Sequence, residues 1–125
     1  MKIVKRDEAV TVVKDDGTRV VYHMFGEYEV HFNELPPGSV QEWHSHAVLE
    51  ETICVTAGEL TILWTDEADQ QSTDILHPGD TARVGTSFHT LRNDSDSTVI
   101  FIALRLVLSG EDHTRTFKTD KCIDE

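Results

Sequence analysis

The chain has 125 residues, the length of a single domain, and its 23 acidic residues against 11 Lys and Arg give a formal net charge of −12. This balance predicts no nucleic-acid partner and no anionic membrane partner, because both need clustered basic side chains. No apolar run reaches the roughly 20 residues of a membrane-spanning helix, and the N-terminal residues lack the apolar segment of a signal peptide. Cys54 and Cys122 are too few for a disulfide framework, so we expect a cytoplasmic location.

Short runs rich in β-branched and aromatic residues recur about every ten residues, which predicts an all-β sandwich or barrel formed by residues 1–125 as one domain. In chain order the predicted strands are 10–13, 18–23, 28–32, 40–44, 51–55, 60–64, 73–76, 81–84, 88–91 and 98–108. Turn residues separate them: Gly17 completes an Asp-Gly turn, and Pro36 with Pro37 cannot lie inside a sheet. No segment has the apolar period of 3.6 residues that is typical of a helix.

Two predicted strands, 60–64 and 99–104, are apolar almost throughout. Such runs indicate burial on both faces, so the outer face needs a second sheet or another subunit to cover it. We therefore expect a homodimer. The tail, 109–125, is poorer in apolar residues and is predicted to be peripheral, with Phe117 and Ile123 packing on the surface or on a partner.

Three of the seven histidines stand in a pattern that suggests a metal site. His44 and His46 are two residues apart, so on a strand their side chains share one face. Two imidazoles so placed can bind one ion at roughly 2.0–2.1 Å each. His89 lies on another predicted strand and is a candidate third ligand.

The spacing around these histidines extends the pattern. Gly38, His44, His46, Glu51 and Gly58 are separated by five, one, four and six residues. The stretch 38–58 resembles the first conserved motif of the cupin superfamily.

A second stretch, 79–93, resembles the second cupin motif. Gly79, His89 and Asn93 match it. Gly85 and Ser87 stand where the family has Pro and Gly, and the loop before His89 is one residue shorter than in the family pattern. The two motifs together identify the chain as a small, single-domain member of the cupin superfamily.

The resemblance implies a double-stranded β-helix, a jelly-roll-like cupin barrel, with one divalent metal ion inside. The implied metal ligands are His44, His46, Glu51 and His89, and Glu51 is also the candidate catalytic base. Three neutral imidazoles and one carboxylate leave coordination positions open and suit Fe, Mn, Ni or Zn, among which affinity order alone does not choose. No motif for an organic cofactor is present.

Glu50 is an alternative to Glu51, because both spacings after His46 occur in the family. Only Glu51 keeps six residues before Gly58. On a strand the two carboxylates face opposite ways, so Glu51 would line the interior. Glu50 is then an outer partner of the site or a solvated side chain.

Several other residues allow two interpretations of their role. Arg83 and Arg105 are candidates to bind a substrate carboxylate, or they form exterior salt bridges. Asn93 orients His89 or closes a turn. His31 is expected at the surface or in an interface.

Three functions are compatible with these features. The first is a metal-dependent oxidoreductase of the dioxygenase type that acts on a small organic substrate. The second is a metal-assisted isomerase, lyase or epimerase acting on a small carbonyl compound. The third is a non-catalytic module that binds a small ligand or a metal.

Overall fold

The computed structural model describes residues 1–107 and 111–123. In chain order its strands are β1 (Val10–Val13), β2 (Arg19–Met24), β3 (Tyr28–Leu35), β4 (His44–His46), β5 (Glu50–Ala57), β6 (Leu60–Thr65), β7 (Gln71–Leu76), β8 (Thr81–Arg83), β9 (His89–Arg92), β10 (Val99–Leu106) and β11 (Lys121–Ile123). A 3₁₀ helix, Arg6–Glu8, precedes β1, and a short helix, α1 (Thr114–Thr119), precedes β11. No helix in the described part of the chain is long and apolar enough to cross a membrane.

The strands form two antiparallel sheets. One has the order β1-β2-β3-β10-β5-β8, and the other has the order β11-β4-β9-β6-β7. The apolar core takes residues from both sheets, with Ile53, Val99 and Phe101 from the first and Leu60 and Leu91 from the second. The all-β prediction and the jelly-roll-like architecture are confirmed.

The central strands of the larger sheet determine where its interior is polar. β10 lies between β3 and β5, and its inward residues are Val99, Phe101, Ala103 and then Arg105. Arg105 is opposite Glu29 on β3 and Glu51 on β5. The inward side chains of these strands are therefore apolar at one end of the barrel and charged at the other.

The inward face of β3 is unusual for a core strand because it is mostly polar. Glu29, His31 and Asn33 are buried on the same face as Leu35. The expectation that His31 lies at the surface is therefore wrong. The period of two correctly groups these residues, but only the pairing with β10 shows that this face points inward.

The apolar run of β10 has a less covered outer face. Ile100 and Ile102 are half-buried, and Leu104 is 38% exposed. Burial on both faces is thus only partial within one chain.

Most strands begin or end one to three residues from the predicted positions, and two regions differ more. Val40 forms only an isolated bridge to Arg92, so the predicted strand 40–44 is replaced by the short β4, which begins at His44. In the tail, β11 pairs with β4, and α1 buries Phe117 while Ile123 stays exposed. Both tail elements are too short to produce a readable apolar period.

Candidate metal centre

Three imidazoles meet on two adjacent strands of the smaller sheet. His44 and His46 lie on β4 with their side chains on the buried face, and His89 begins β9 directly opposite His44. One nitrogen from each ring lies within 4.8 Å of the corresponding nitrogens of the other two. The sheet register thus brings the second motif to the first, and the cluster can hold a metal ion.

Backbone carbonyls orient two of the rings. Nδ1 of His44 donates to the carbonyl of Glu42 at 2.9 Å, and Nδ1 of His89 donates to the carbonyl of Ser87 at 2.8 Å. A carbonyl can only accept, so Nδ1 carries the proton and Nε2 presents its lone pair. This is the tautomer that a metal ligand needs. Nδ1 of His46 is buried and has no hydrogen-bond partner among the described residues.

The carboxylate of Glu51 extends from β5 of the larger sheet toward the three imidazoles. Its Oε2 lies 2.9 Å from Nε2 of His46, although the contact lacks the alignment of a hydrogen bond. Two ligand atoms that are each about 2.1 Å from one ion, at roughly a right angle, lie about 3.0 Å apart. The unaligned contact therefore fits two ligands that face a common ion.

The charge states of the site are those that metal binding requires. Burial lowers the pKa of His44 to about 4. The hydrogen bond that His44 donates to the carbonyl of Glu42 opposes this shift, and the neighbouring His89 adds to it. Burial also lowers the pKa of His89. Burial alone would raise the pKa of Glu51, but His46 and the charge of Arg105 outweigh it and hold that pKa at about 2. At neutral pH His44 and His89 are thus neutral and the carboxylate is ionised.

Glu50 lies on the opposite face of β5, as the strand alternation predicts. Its carboxylate accepts two hydrogen bonds from the exposed Arg83, at 3.0 Å from Nε and 2.7 Å from Nη2. The pair belongs to the outer surface. Of the two candidate carboxylates, the structure places only Glu51 beside the imidazoles.

A cavity of about 80 Å³ opens beside the imidazoles. Besides the four predicted ligand residues, its polar lining consists of Lys14, Tyr22, His31, Asn33, Gln41, Arg105 and Lys121. His31 is held by Glu29, whose Oε1 lies 2.7 Å from its Nε2. Arg105 therefore points into the barrel, whereas Arg83, the other candidate arginine, lies on its outer surface.

Sequence reasoning missed several of these lining residues. Leu35 is the one apolar residue on the face of β3 that carries His31, and the polar Glu29 and Asn33 on that face outweigh this signal. Lys14 and Lys121 come from a turn and from the tail, where no periodicity exists to reveal their direction. Their place in the lining depends on how the chain ends fold back.

Asn93 closes a turn. Its Nδ2 donates to the carbonyls of Leu35 and Ser97, and its Oδ1 accepts from the backbone and the hydroxyl of Ser95. All of its hydrogen-bonding groups are thus used in the loop, and none reaches His89. The turn-closing reading is the one that the structure supports.

A steric constraint explains why the last position of the first motif is a glycine. Gly58 has φ +78°, and a Cβ there would lie 2.9 Å from the carbonyl oxygen of Thr98. A side chain at this position would push β5 away from the loop that precedes β10.

An antiparallel jelly-roll barrel with an interior cluster of three imidazoles and an adjacent carboxylate defines a metal-binding β-barrel protein. The Cupin_2 family, described as a cupin domain, matches residues 31–105, which is more than half of the chain. The chain belongs to this family. The comparison with curated proteins gives no match.

Solved structures with the same fold have diverse functions. A variant of the Bacillus subtilis oxalate decarboxylase superposes with a TM-score of 0.78 at 13% identity, covering 97% of this chain and 32% of that one. The Lactobacillus farciminis oxalate decarboxylase gives 0.72 at 18%, covering 85% and 33%. Drosophila melanogaster CENP-C, in complex with CAL1, gives 0.74 at 14%, covering 82% and 80%. These likenesses establish the fold.

Proposed function

We propose that the protein is a metal-dependent oxidoreductase of the dioxygenase type that acts on a small organic substrate. One observation carries the proposal: three buried imidazoles and an ionised carboxylate converge at the wall of a polar cavity. His44, His46, His89 and Glu51 would hold a divalent ion. Four protein ligands leave positions open for a substrate.

The residues present fit such an ion. Mixed imidazole and carboxylate ligation suits Fe, Mn, Ni or Zn. The two carbonyl partners hold His44 and His89 in the ligating tautomer before any metal arrives, so little reorganisation is needed on binding. A bound redox-active ion would supply one-electron chemistry and bring substrate and oxidant together.

Glu51 suits the role of ligand better than that of base. A carboxylate with a pKa of about 2 is a poor proton acceptor at neutral pH. Its charge offsets that of the cation, and its contact with His46 sets its direction. We therefore assign Glu51 to the metal, and a base role would require it to leave that position.

Metal analysis of natively purified protein tests the site. We expect about one divalent ion per chain in the wild type and a large loss in His46→Ala and His89→Ala. His77→Ala is the matched control, because His77 is exposed and interacts with Glu59. Equal metal content in the wild type and both site variants would show that the site assignment is wrong.

Oxygen uptake tests the reaction class. The oxygen uptake of the iron-loaded protein is compared with that of the zinc-loaded protein, each with a panel of phenols, diketones, thiols and small carboxylates. We expect oxygen consumption with iron and none with redox-inert zinc. Turnover of a carbonyl compound by the zinc form without oxygen would instead indicate the isomerase or lyase class.

A further inference from the structure

Arg105 is a charged side chain inside the barrel, and within residues 1–107 and 111–123 its buried Nε has no partner. It lies near the end of β10, lines the same cavity as the imidazoles, and is only partly buried. Its Nε is fully buried and has no hydrogen-bond partner among the described residues. None of the ion pairs found in the described ranges includes it.

The carboxylates nearest to this arginine along the sheet have other partners. Glu29 and Glu51 are opposite Arg105 on the two neighbouring strands. Glu29 is 2.7 Å from Nε2 of His31, and Glu51 is 2.9 Å from Nε2 of His46. The charge of Arg105 is thus close to two carboxylates without a direct bond to either.

Leaving such a donor unmatched is costly. A buried hydrogen-bonding group without a partner costs about 1–3 kcal/mol, and more when it is charged. A protein tolerates this where a ligand supplies the missing acceptor. The matching ligand group is an anion with at least two oxygens, since a guanidinium offers a planar set of donors.

Two further cations line the cavity in a chain of net charge −12. They are Lys14 and Lys121, of which Lys121 pairs with Glu42 at 2.7 Å. Burial, Lys121 and Arg105 lower the pKa of Lys14, against the opposing effect of Asp16. The cavity lining therefore combines three cationic side chains with the single carboxylate of Glu51, in a chain that is acidic overall.

We propose that Arg105 anchors an anion-binding subsite in this cavity and that its ligand is the carboxylate of a small organic acid. This rests on the proposed function, whose substrate class it names. The planar fork of the guanidinium matches a carboxylate, and the volume of about 80 Å³ favours an acid of only a few carbon atoms. The carboxylate of Glu29 is bound to His31 instead of Arg105, and this leaves the guanidinium of Arg105 free for the ligand.

Acetate and its neutral isostere acetamide are suitable probes. Both are titrated into the wild type, metal-free and zinc-loaded, with binding followed by NMR chemical shifts and by calorimetry. We expect acetate to bind at least tenfold more tightly than acetamide in both forms. Equal binding of the two probes would overturn the proposal.

Two arginine variants locate the acetate. Arg105→Met should reduce acetate affinity at least tenfold. Arg83→Met removes the same charge outside the barrel, and its acetate affinity should stay within twofold of the wild-type value. Equal acetate affinity in the two variants would overturn the proposal. If Arg105→Met fails to fold, Arg105→Lys keeps the charge and loses the fork, and a loss of several-fold is expected.

The two metal states separate this subsite from the metal site. If the protein binds no metal but selects acetate through Arg105, the proposed function fails and the subsite stands. If zinc-loaded wild type and Arg105→Met bind acetate equally, the anion sits on the metal and the subsite is wrong.

Discussion

Nε2 of His46 and Oε2 of Glu51 lie 2.9 Å apart and join the two sheets across the interior of the barrel. His46 lies on β4 of the smaller sheet and Glu51 on β5 of the larger one. Only four residues separate the two along the chain, the loop 47–49 and Glu50, which begins β5. A ligand from each sheet places the candidate ion at their junction.

The two adjacent glutamates therefore differ in their effect on metal affinity. Glu51→Gln keeps the shape of the side chain but removes the negative charge, so we expect the dissociation constant for Zn²⁺ to rise at least tenfold. Glu50→Gln loses only an exposed ion pair and should change it less than twofold. Competition with a chelator measures both constants. Equal affinities would show that Glu51 is not a ligand.

The metal-free protein should lose stability as the pH falls below about 6.5. The pKa of His44 is about 4 in the folded chain and about 6.5 when it is unfolded, so the unfolded state binds more protons between these values. Glu51 acts in the same direction at lower pH, because its folded pKa of about 2 is below the ordinary 4.5. Its contribution is present above about 4.5 and is lost as the pH falls through about 2.

Urea denaturation at pH 7, 6, 5 and 4 measures this dependence. In His44→Gln the loss between pH 6.5 and 4 should be smaller, because the group that takes up the proton on unfolding is absent. A free energy of unfolding that stays constant over this interval in the metal-free wild type would contradict the prediction.

Asp120 holds the loop between the two halves of the site. Its Oδ2 accepts hydrogen bonds from the backbone N–H groups of Val48 and Leu49, both at 2.8 Å. Asp120→Ala leaves these donors without an acceptor, so we expect a loss of about 1–3 kcal/mol in the free energy of unfolding. Asp94→Ala, which breaks an exposed pair with Arg92, should cost about 1 kcal/mol or less.

Urea titrations of the two aspartate variants make the comparison. Metal affinity should also fall in Asp120→Ala, because the freed loop links His46 to Glu51. Equal stability of the two variants would show that the tail does not support the site.

The outer face of the larger sheet should form a homodimer interface. Tyr28, Phe32 and Leu104 lie on this face and are 45%, 39% and 38% exposed. Burial of such side chains against a second copy is favourable at about 25 cal/mol per Å². Light scattering after size exclusion should give twice the chain mass for the wild type and the chain mass for Leu104→Glu.

Ile75→Glu is the control for the dimer. Ile75 is 54% exposed on β7 of the other sheet, so its substitution should leave the dimer mass unchanged. A wild type with the mass of one chain would contradict the prediction.

Local pattern was sufficient where a single strand or turn decides the outcome. The alternation of His44 with His46, and of Glu50 with Glu51, is a property of any extended backbone. It therefore predicted correctly which side chains share a face.

Pattern alone could not show which face of β3 is the inner one. Glu29, His31 and Asn33 form a polar set that is typical of a solvated face. The pairing of Ala103 with His31 places that set inside the barrel. The roles of Arg83 and Arg105 were undecided for the same reason, since each lies on a strand whose inner face the sequence does not identify.

The sequence by itself determined the all-β class and the cupin motifs, because these depend on residue type, spacing and strand period, and the resemblance to the family implied the four candidate ligands. Only the tertiary structure decided that His31 and Arg105 face the ligands and that Lys14 and Lys121 line the cavity. It also showed that Asp120 fixes the loop beside His46. These contacts join residues far apart in the chain, and strand register, which sets them, depends on the packing of two whole sheets.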